Sequence, residues 1–269
     1  MKDTILFGDC RETLSQIDEK VRMCVTSPPY YGLRNYGDES NQIGQEDTPE
    51  EYIQNLVNIF RSVRNCLTDD GTLWVNIGDS YYNYRPGKGQ ALVKQTVSAT
   101  KQDLPDKCAR RGNKLDGLKE KDLIGIPWML AFALRADGWY LRQDIIWSKG
   151  NPMPESVRDR CTKSHEYIFL LSKSQNYYFD VDAIKEPTRR KRSVWNIQTK
   201  PYRGSHFAVY PPELIEPCIL AGSEVGDIVL DPFMGSGTTA AVAKSLGRDY
   251  IGCESVSYTH LTLPTIYSV

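Results

Sequence analysis

Segments with the pattern of a strand alternate along this chain with segments that have the pattern of a helix. The strand-like segments are short apolar runs that end where polar or turn residues begin, and the helical ones repeat apolar residues every three or four positions. Such alternation is typical of a mostly parallel sheet with helices on both faces. We therefore predict an α/β fold with a mostly parallel seven-stranded sheet, its strands at residues 4–7, 21–25, 71–77, 143–147, 167–171, 228–231 and 250–253.

The clearest helix signal begins at Thr48. This threonine can cap a helix, Pro49 is favoured in the first turn, and Glu51 stands at the capping-box position. Apolar residues then recur at helical spacing as far as Leu67. Three further helices are predicted at residues 124–135, 211–221 and 238–246, and the last of them begins in a glycine-rich turn.

Two distinctive loops stand at the carboxyl ends of predicted strands, although about 200 residues separate them. Thr26-Ser-Pro-Pro-Tyr30 ends the second strand, and Asp231-Pro-Phe-Met-Gly-Ser-Gly-Thr-Thr239 ends the sixth. In open α/β sheets, ligands bind beyond the carboxyl ends of the strands, especially where the strand order reverses. We therefore expect the two loops to face one pocket.

The glycine loop has the features of a cofactor site. Gly235 and Gly237 permit close backbone approach, and the following helix start offers N–H groups and a positive dipole end to an anionic group. A bare Gly-x-Gly also occurs where glycine serves packing alone, so the prediction depends on the whole string. Glu254, which ends the next predicted strand, can accept both ribose hydroxyls of a nucleoside.

The proline loop has the features of a catalytic site. Pro28 and Pro29 stiffen the backbone and leave carbonyl oxygens without competing N–H donors. A carbonyl oxygen and the Ser27 hydroxyl can hold an exocyclic amine by its two hydrogens, while Tyr30 offers a ring on which a base can stack. The alternative is a proline-rich turn that merely ends a strand, and the glycine loop favours the catalytic interpretation.

Together the two loops resemble those of β-class DNA amino-methyltransferases, in which the catalytic loop precedes the cofactor loop, over roughly residues 1–254. The resemblance implies a Rossmann-like methyltransferase fold with a circularly permuted motif order, S-adenosylmethionine (SAM) as cofactor and double-stranded DNA as substrate. It implies catalysis by Ser27, Pro28, Pro29 and Tyr30. It also implies SAM binding by Asp9, Cys10, His206, Asp231, Pro232, Phe233, Gly235, Ser236, Gly237, Thr238, Thr239 and Glu254.

The residue before Pro-Pro-Tyr bears on the target base. Ser27 is similar to the pattern of cytosine-N4 enzymes, whereas aspartate is commoner there in adenine-N6 enzymes, so we favour cytosine N4 and leave adenine N6 open. An RNA or small-molecule SAM methyltransferase and a non-enzymatic nucleotide-binding module are more remote alternatives. Two further segments resemble the family without a defined role: Arg160-Cys-Thr-Lys-Ser-His-Glu166, whose His165 we interpret as structural, and Ser193-Val-Trp-Asn-Ile197.

A net charge of -1 argues neither for nor against DNA binding, so we look for clusters of basic residues. Residues 85–121 contain ten Lys or Arg and four Asp or Glu, which predicts a mobile basic insertion over residues 81–121. Arg189-Arg-Lys-Arg192 is a compact basic run inside a candidate target-recognition region of about 150–205. Such a run is often only a solvated face. Because the chain also contains the two loops, we predict that Arg189, Arg190, Lys191 and Arg192 contact DNA phosphates.

The remaining features concern the environment of the protein. Without a membrane-length apolar run or a signal-peptide pattern, we expect a cytoplasmic protein. Its seven scattered cysteines lack a C-x-x-C pair, so we expect reduced, mostly buried thiols and no metal site. Residues 255–269 resemble translated adapter sequence and are predicted to be a non-native tail. Whether a cognate restriction endonuclease is a partner stays open.

Overall fold

A computed structural model describes residues 1–32, 42–82, 115, 117–199 and 210–255. The strands are β1 (Thr4–Phe7), β2 (Val21–Thr26), β3 (Leu67–Ile77), β4 (Tyr140–Ser148), β5 (His165–Ser172), β6 (Val194–Asn196), β7 (Ile228–Asp231) and β8 (Asp249–Glu254). The helices are α1 (Cys10–Thr13), α2 (Pro49–Cys66), α3 (Ile126–Ala136), α4 (Pro212–Gly222) and α5 (Thr238–Ser245), and a 3-10 turn (Leu14–Gln16) follows α1.

Within these residues, eight strands form one sheet in the order β1-β8-β7-β2-β3-β5-β4-β6. Neighbouring strands are parallel except where β5 pairs antiparallel with β3 and with β4. The predicted mostly parallel α/β sheet is therefore confirmed, with eight strands where seven were predicted. The additional strand, β6, has only three residues, which is too short for a strand pattern to be visible in the sequence.

The strand order reverses at the middle of the sheet. From β2 the chain continues to β3 on one side, and from β7 it continues to β8 on the other side, while β2 and β7 pair with each other. The crevice beyond the carboxyl ends of these two strands is the place where open α/β sheets bind ligands. Because Thr26 ends β2 and Asp231 ends β7, the two loops begin side by side.

Helices cover both faces of the sheet. Thr48 accepts a hydrogen bond from the Glu51 N–H at 3.2 Å, so α2 begins as predicted, and its Tyr52, Leu56 and Phe60 are buried in one hydrophobic cluster. Residues of α4 and α5 are buried in a second cluster. In β2, Met23 and Val25 lie in the second cluster and Cys24 lies in the first, as expected for a strand that is covered on both faces.

Several predicted segments are only partly described. The basic insertion predicted over residues 81–121 is described only at 81, 82, 115 and 117–121, and residue 255 alone represents the predicted tail. The region of about 150–205, predicted to be an insertion, contains β5 and β6. β5 pairs with β3 on one side and with β4 on the other, inside the sheet. No helix in the described ranges is both long and apolar enough to cross a membrane.

Candidate active site

A buried carboxylate joins the two loops. Asp231 is fully buried, and its Oδ1 accepts the Thr26 hydroxyl at 2.5 Å and the Phe233 N–H at 3.0 Å. Its Oδ2 accepts the hydroxyls of Tyr210, at 3.1 Å, and Thr239. Burial raises the pKa of Asp231, although these hydrogen bonds oppose the shift. Four donors match the acceptor capacity of a carboxylate, so Asp231 shapes the crevice instead of offering oxygens to a ligand.

The glycine loop packs tightly against Gly252 of β8 but leaves free space beside Gly235. Gly235 and Gly237 have φ angles of +54° and +86°, in the left-handed region that favours glycine. A Cβ built on Gly252 of β8 would lie 2.3 Å from the Met234 side chain, so no residue larger than glycine fits at this position. A Cβ built on Gly235 would meet no protein atom nearer than 3.9 Å. The space beside Gly235 is therefore open to a ligand.

The other predicted residues of this loop differ in exposure. Phe233, Gly235 and Thr238 are half-buried and can reach a ligand directly. The remaining predicted loop residues are buried: Pro232, Ser236, Gly237 and Thr239. His206, predicted to bind SAM, lies outside the described residues.

The ends of β1 and β8 extend the site on one side of the glycine loop. Glu254 accepts the Gly235 N–H at 2.7 Å, and its backbone oxygen accepts the Gly8 N–H at 2.9 Å. Asp9 caps α1 and is paired with Arg11; although burial opposes ionisation, the hydrogen bonds from Arg11 hold the pKa of Asp9 below its usual value. Cys10 is buried in the core, where burial raises the pKa of its thiol to about 12, so only its backbone can contact a ligand.

The proline loop is held from two sides. The Pro29 carbonyl accepts the Tyr52 hydroxyl of α2 at 2.8 Å, so its oxygen is engaged by the protein. The Tyr30 ring lies on Gly78, where a built Cβ would stand 2.7 Å from a ring carbon. Ser27 and Tyr30 are half-buried. Half-buried Ser27 and the backbone oxygen of buried Pro28 remain the loop's candidate acceptors for a substrate amine, and one side of the Tyr30 ring is closed by Gly78, which directly follows β3.

A charged cluster beside the proline loop was missed by sequence reasoning. The Tyr30 hydroxyl donates to Glu166 Oε2 at 2.7 Å, and Asn76 Nδ2 donates to the same oxygen at 3.3 Å. Lys149 forms an ion pair with Glu166 Oε1. Glu166 belongs to a segment that resembled the family, but its role depends on the reversed direction of β5, whose amino end lies beside the carboxyl ends of its neighbours. His165 packs edge-on against the Tyr167 ring, with 5.4 Å between the ring centroids.

A second buried aspartate organises the neighbouring strand end. Asp79, directly beyond β3, accepts the backbone N–H groups of Ser80, Gly125 and Ile126 at 2.9, 3.0 and 3.1 Å. These contacts cap α3, whose N-cap residue is a glycine without a side chain. Burial lowers the pKa of Lys163, which lies 4.0 Å from the Asp79 carboxylate.

The basic run is not brought together with the two loops. It leads into β6, which pairs with the last three residues of β4, so it lies beside the edge of the sheet. Arg189 is paired with Glu186, and the Lys191 ammonium stands 5.0 Å from the centroid of the Trp195 ring. Arg190 and Arg192 are exposed. Among the described residues, no group of three or more His, Cys, Asp or Glu is placed to hold a metal ion.

The sheet order and the paired loops define the fold class: this is an α/β protein with the Rossmann-like methyltransferase fold. The solved structure of the cytosine-N4-specific PvuII DNA methyltransferase matches with a TM-score of 0.72, over 96% of this chain and 84% of that one, at 19% sequence identity. The structure of the M1.HpyAVI-SAM complex matches with a TM-score of 0.60, over 94% of each chain, at 21% identity. The predicted fold is confirmed.

Curated relatives are more similar in sequence. The type II methyltransferase M.SmaI of Serratia marcescens is 52% identical over 263 residues, which cover 93% of this chain and 85% of the relative. The type II methyltransferase M.Cfr9I of Citrobacter freundii is 50% identical over 257 residues, which cover 93% and 83%. The N6/N4 DNA methylase family matches residues 21–261. The chain belongs to this family, as the two loops predicted.

Proposed function

We propose that this chain is a site-specific DNA methyltransferase that moves a methyl group from SAM to the exocyclic amine of a flipped base, cytosine N4 in particular. The observation that carries the proposal is the hydrogen bond between Thr26 and Asp231, which joins the start of the catalytic loop to the start of the cofactor loop. Ser27 supports cytosine as the target, and so does the cytosine-N4 specificity of the PvuII enzyme, whose fold this chain shares.

The described residues fit SAM. The open space beside Gly235 admits backbone contact with the methionine end, and Glu254 stands beside it for the ribose hydroxyls. Asp9 and the backbone of Cys10 lie at the end of β1, next to Glu254, where they would border the adenine. Bound there, SAM supplies an activated methyl group on its sulfonium. Asp231 contributes through the shape of the loop.

The catalytic loop acts on the base. The target base must leave the duplex, because pairing and stacking otherwise shield its amine. The exposed part of the Tyr30 ring stacks on the flipped base, which offsets part of the cost of flipping. The Ser27 and Pro28 oxygens accept the two amine hydrogens and orient the nitrogen lone pair toward the methyl group. After transfer the methylated nitrogen carries a positive charge, and it releases one of these hydrogens as a proton to water.

The product of the reaction tests this function. The chain should be incubated with SAM that carries a deuterated methyl group and with mixed-sequence duplex DNA, and the DNA digested for nucleoside mass spectrometry. We expect labelled N4-methylcytosine. Labelled N6-methyladenine alone would refute the target base and leave the fold untouched, whereas 5-methylcytosine would refute amine chemistry altogether.

The basic run supplies part of the proposed grip on DNA. Replacing the exposed Arg190 and Arg192 with alanine is expected to weaken binding to every duplex and to reduce the slope of log K against log salt by about 0.9 for each lost phosphate contact. Base preference should persist, since phosphate contacts position the duplex without reading it. A salt titration of binding measures the slope. Lys2 and Lys20, replaced together, remove the same charge at the amino ends of β1 and β2 and serve as the matched control. Equal slopes for wild type and the Arg190/Arg192 variant would make the run an ordinary solvated face.

The names of the relatives bear on the cellular partner. Both curated relatives are described as type II methyltransferases, which act as the modification partners of restriction systems. The proposal therefore extends to a cognate restriction endonuclease that cleaves the sequence this chain protects. Resistance of wild-type-methylated plasmid DNA to such an endonuclease would support the extension.

A further inference from the structure

The loop that joins β4 to β5, residues 149–164, begins and ends beside the proline loop. The Lys149 N–H donates to the Ser164 carbonyl at 2.7 Å, which holds the two ends of this β4–β5 loop together. The Lys149 side chain pairs with Glu166, and the same carboxylate accepts the Tyr30 hydroxyl at 2.7 Å. The β4–β5 loop therefore starts from the carboxylate that holds Tyr30 in place.

Contacts with other parts of the chain anchor the β4–β5 loop in two places. The Asn151 side-chain nitrogen donates to the Thr199 carbonyl at 3.0 Å, and the Asn151 side-chain oxygen accepts the Thr199 N–H at 2.8 Å. Further along the loop, Arg160 is paired with Glu155, and its guanidinium carbon lies 3.8 Å from the centroid of the Tyr81 ring. These contacts tie the segment between Asn151 and Glu155 to the edge of the sheet.

Met153 lies between these anchors, and 85% of its surface is exposed. Single exposed apolar residues are common on protein surfaces, so exposure alone indicates no function. Met153 differs because Pro152 and Pro154 flank it: proline fixes its own φ, and a residue before proline is restricted to extended conformations. The methionine is therefore presented on a stiff backbone, which has little conformational entropy left to lose when a partner binds.

The β4–β5 loop can reach the duplex from which a base stacked on Tyr30 has come. Met153 is four residues from Lys149, and four residues span at most about 14 Å, compared with a major-groove width of about 12 Å. The loop contains four Lys or Arg and two Asp or Glu, and its Arg158 is exposed. This excess of positive charge suits the phosphates of DNA. We therefore expect the tip of the loop to meet the duplex next to the target nucleotide.

A flipped base leaves a gap in the stack of the duplex. Proteins that open a base step insert apolar side chains, methionine among them, between the bases. We propose that Met153 is such a wedge and fills the gap that the flipped target base leaves. Burial between the bases removes its apolar surface from water, which offsets part of the cost of flipping. The inference rests on the proposed function and deepens it, because it assigns the residue that keeps the target base out of the duplex.

Equilibrium binding to three duplexes tests the wedge. The first carries the site that wild type methylates, the second lacks only the base of the target nucleotide in that site, and the third has no such site. Met153→Ala should weaken binding to the first two about tenfold, because both complexes hold a gap in which apolar surface is buried, and should leave binding to the third within about twofold of wild type. Tyr30→Ala should weaken binding to the intact site and spare the second duplex, which has no target base to stack.

Further variants separate the wedge from an ordinary surface contact. Met153→Leu keeps an apolar side chain of similar size and should bind within about threefold of wild type, whereas Met153→Gln keeps the length and should lose as much affinity as Met153→Ala. Val225 is the matched control, because it is 76% exposed in the turn before β7, at the opposite end of the sheet. Val225→Ala should bind all three duplexes as wild type does.

Unchanged affinity of Met153→Ala for the duplex that lacks the target base would overturn the inference, and so would an equal loss on the duplex without a site. If wild type methylates no exocyclic amine, the proposed function fails and the wedge fails with it. If wild type is active and Met153→Ala spares both duplexes that carry the site, only the wedge fails.

Discussion

Asp231→Ala is expected to abolish measurable SAM binding and to lower the free energy of unfolding by about 3 kcal/mol or more. The substitution leaves the hydroxyls of Thr26, Tyr210 and Thr239 and the Phe233 N–H without their common acceptor in a fully buried place. Because Thr26 ends β2 while Phe233 and Thr239 belong to the glycine loop, loss of the common acceptor separates the two loops. SAM affinity falls through the shape of the crevice, without the loss of a direct contact.

Calorimetry and urea unfolding measure the two effects, and Asp79 provides the control. Asp79 is also buried and accepts three backbone N–H groups at a strand end, but its contacts organise α3. Asp79→Ala should therefore destabilise the fold to a similar extent and leave SAM affinity within about twofold of wild type at a temperature where it remains folded. Unchanged SAM affinity in Asp231→Ala would show that the cofactor loop does not depend on the link to β2.

Gly235→Ala is expected to weaken SAM binding about tenfold or more, and Gly235→Val further, with the fold retained. A side chain at this position has room in the free protein but occupies the space assigned to the cofactor. The left-handed φ of +54° adds strain of about 1 to 2 kcal/mol for a residue with a Cβ.

Gly226→Ala tests whether backbone strain alone, without loss of space for the cofactor, can weaken SAM binding. Gly226 has a φ of +87° and nothing within 4 Å of a built Cβ, and it lies in the turn before β7, at the opposite end of that strand. Alanine there carries the same kind of strain and should leave SAM affinity unchanged by isothermal titration. Equal losses of affinity in the two variants would mean that strain, and not space at Gly235, governs binding.

Local signals explain what the sequence could predict. Proline, glycine and capping residues determine backbone behaviour within a few positions, so the two loops and the start of α2 could be placed from the sequence alone. The periodicity of apolar residues located seven of the strands. The start of β3 was placed four residues too late, because its first residues include Thr68, Asp69 and Asp70, which are atypical of a buried strand.

Long-range contacts explain what could not be predicted. Glu166 meets Tyr30 only because β5 runs antiparallel between β3 and β4, and no periodicity encodes that direction. Asp79 contacts the start of α3, which lies 46 residues further along the sequence, and no periodicity in the intervening sequence predicts this contact. The sequence likewise singled out Arg189 to Arg192 by charge, but only the structure shows that this run leads into an edge strand away from the loops.

A crystal structure of the chain with bound SAM tests the shared pocket most directly. We expect the methionine end to lie beside Gly235, the ribose hydroxyls to contact Glu254, and the methyl group to point into the space between the glycine loop and Ser27. The distance from the methyl carbon to Ser27 Oγ is the decisive quantity, since a base amine held by Ser27 must reach that carbon. SAM bound away from the crevice between β2 and β7, or with its methyl group directed away from Ser27, would contradict a pocket shared by the two loops.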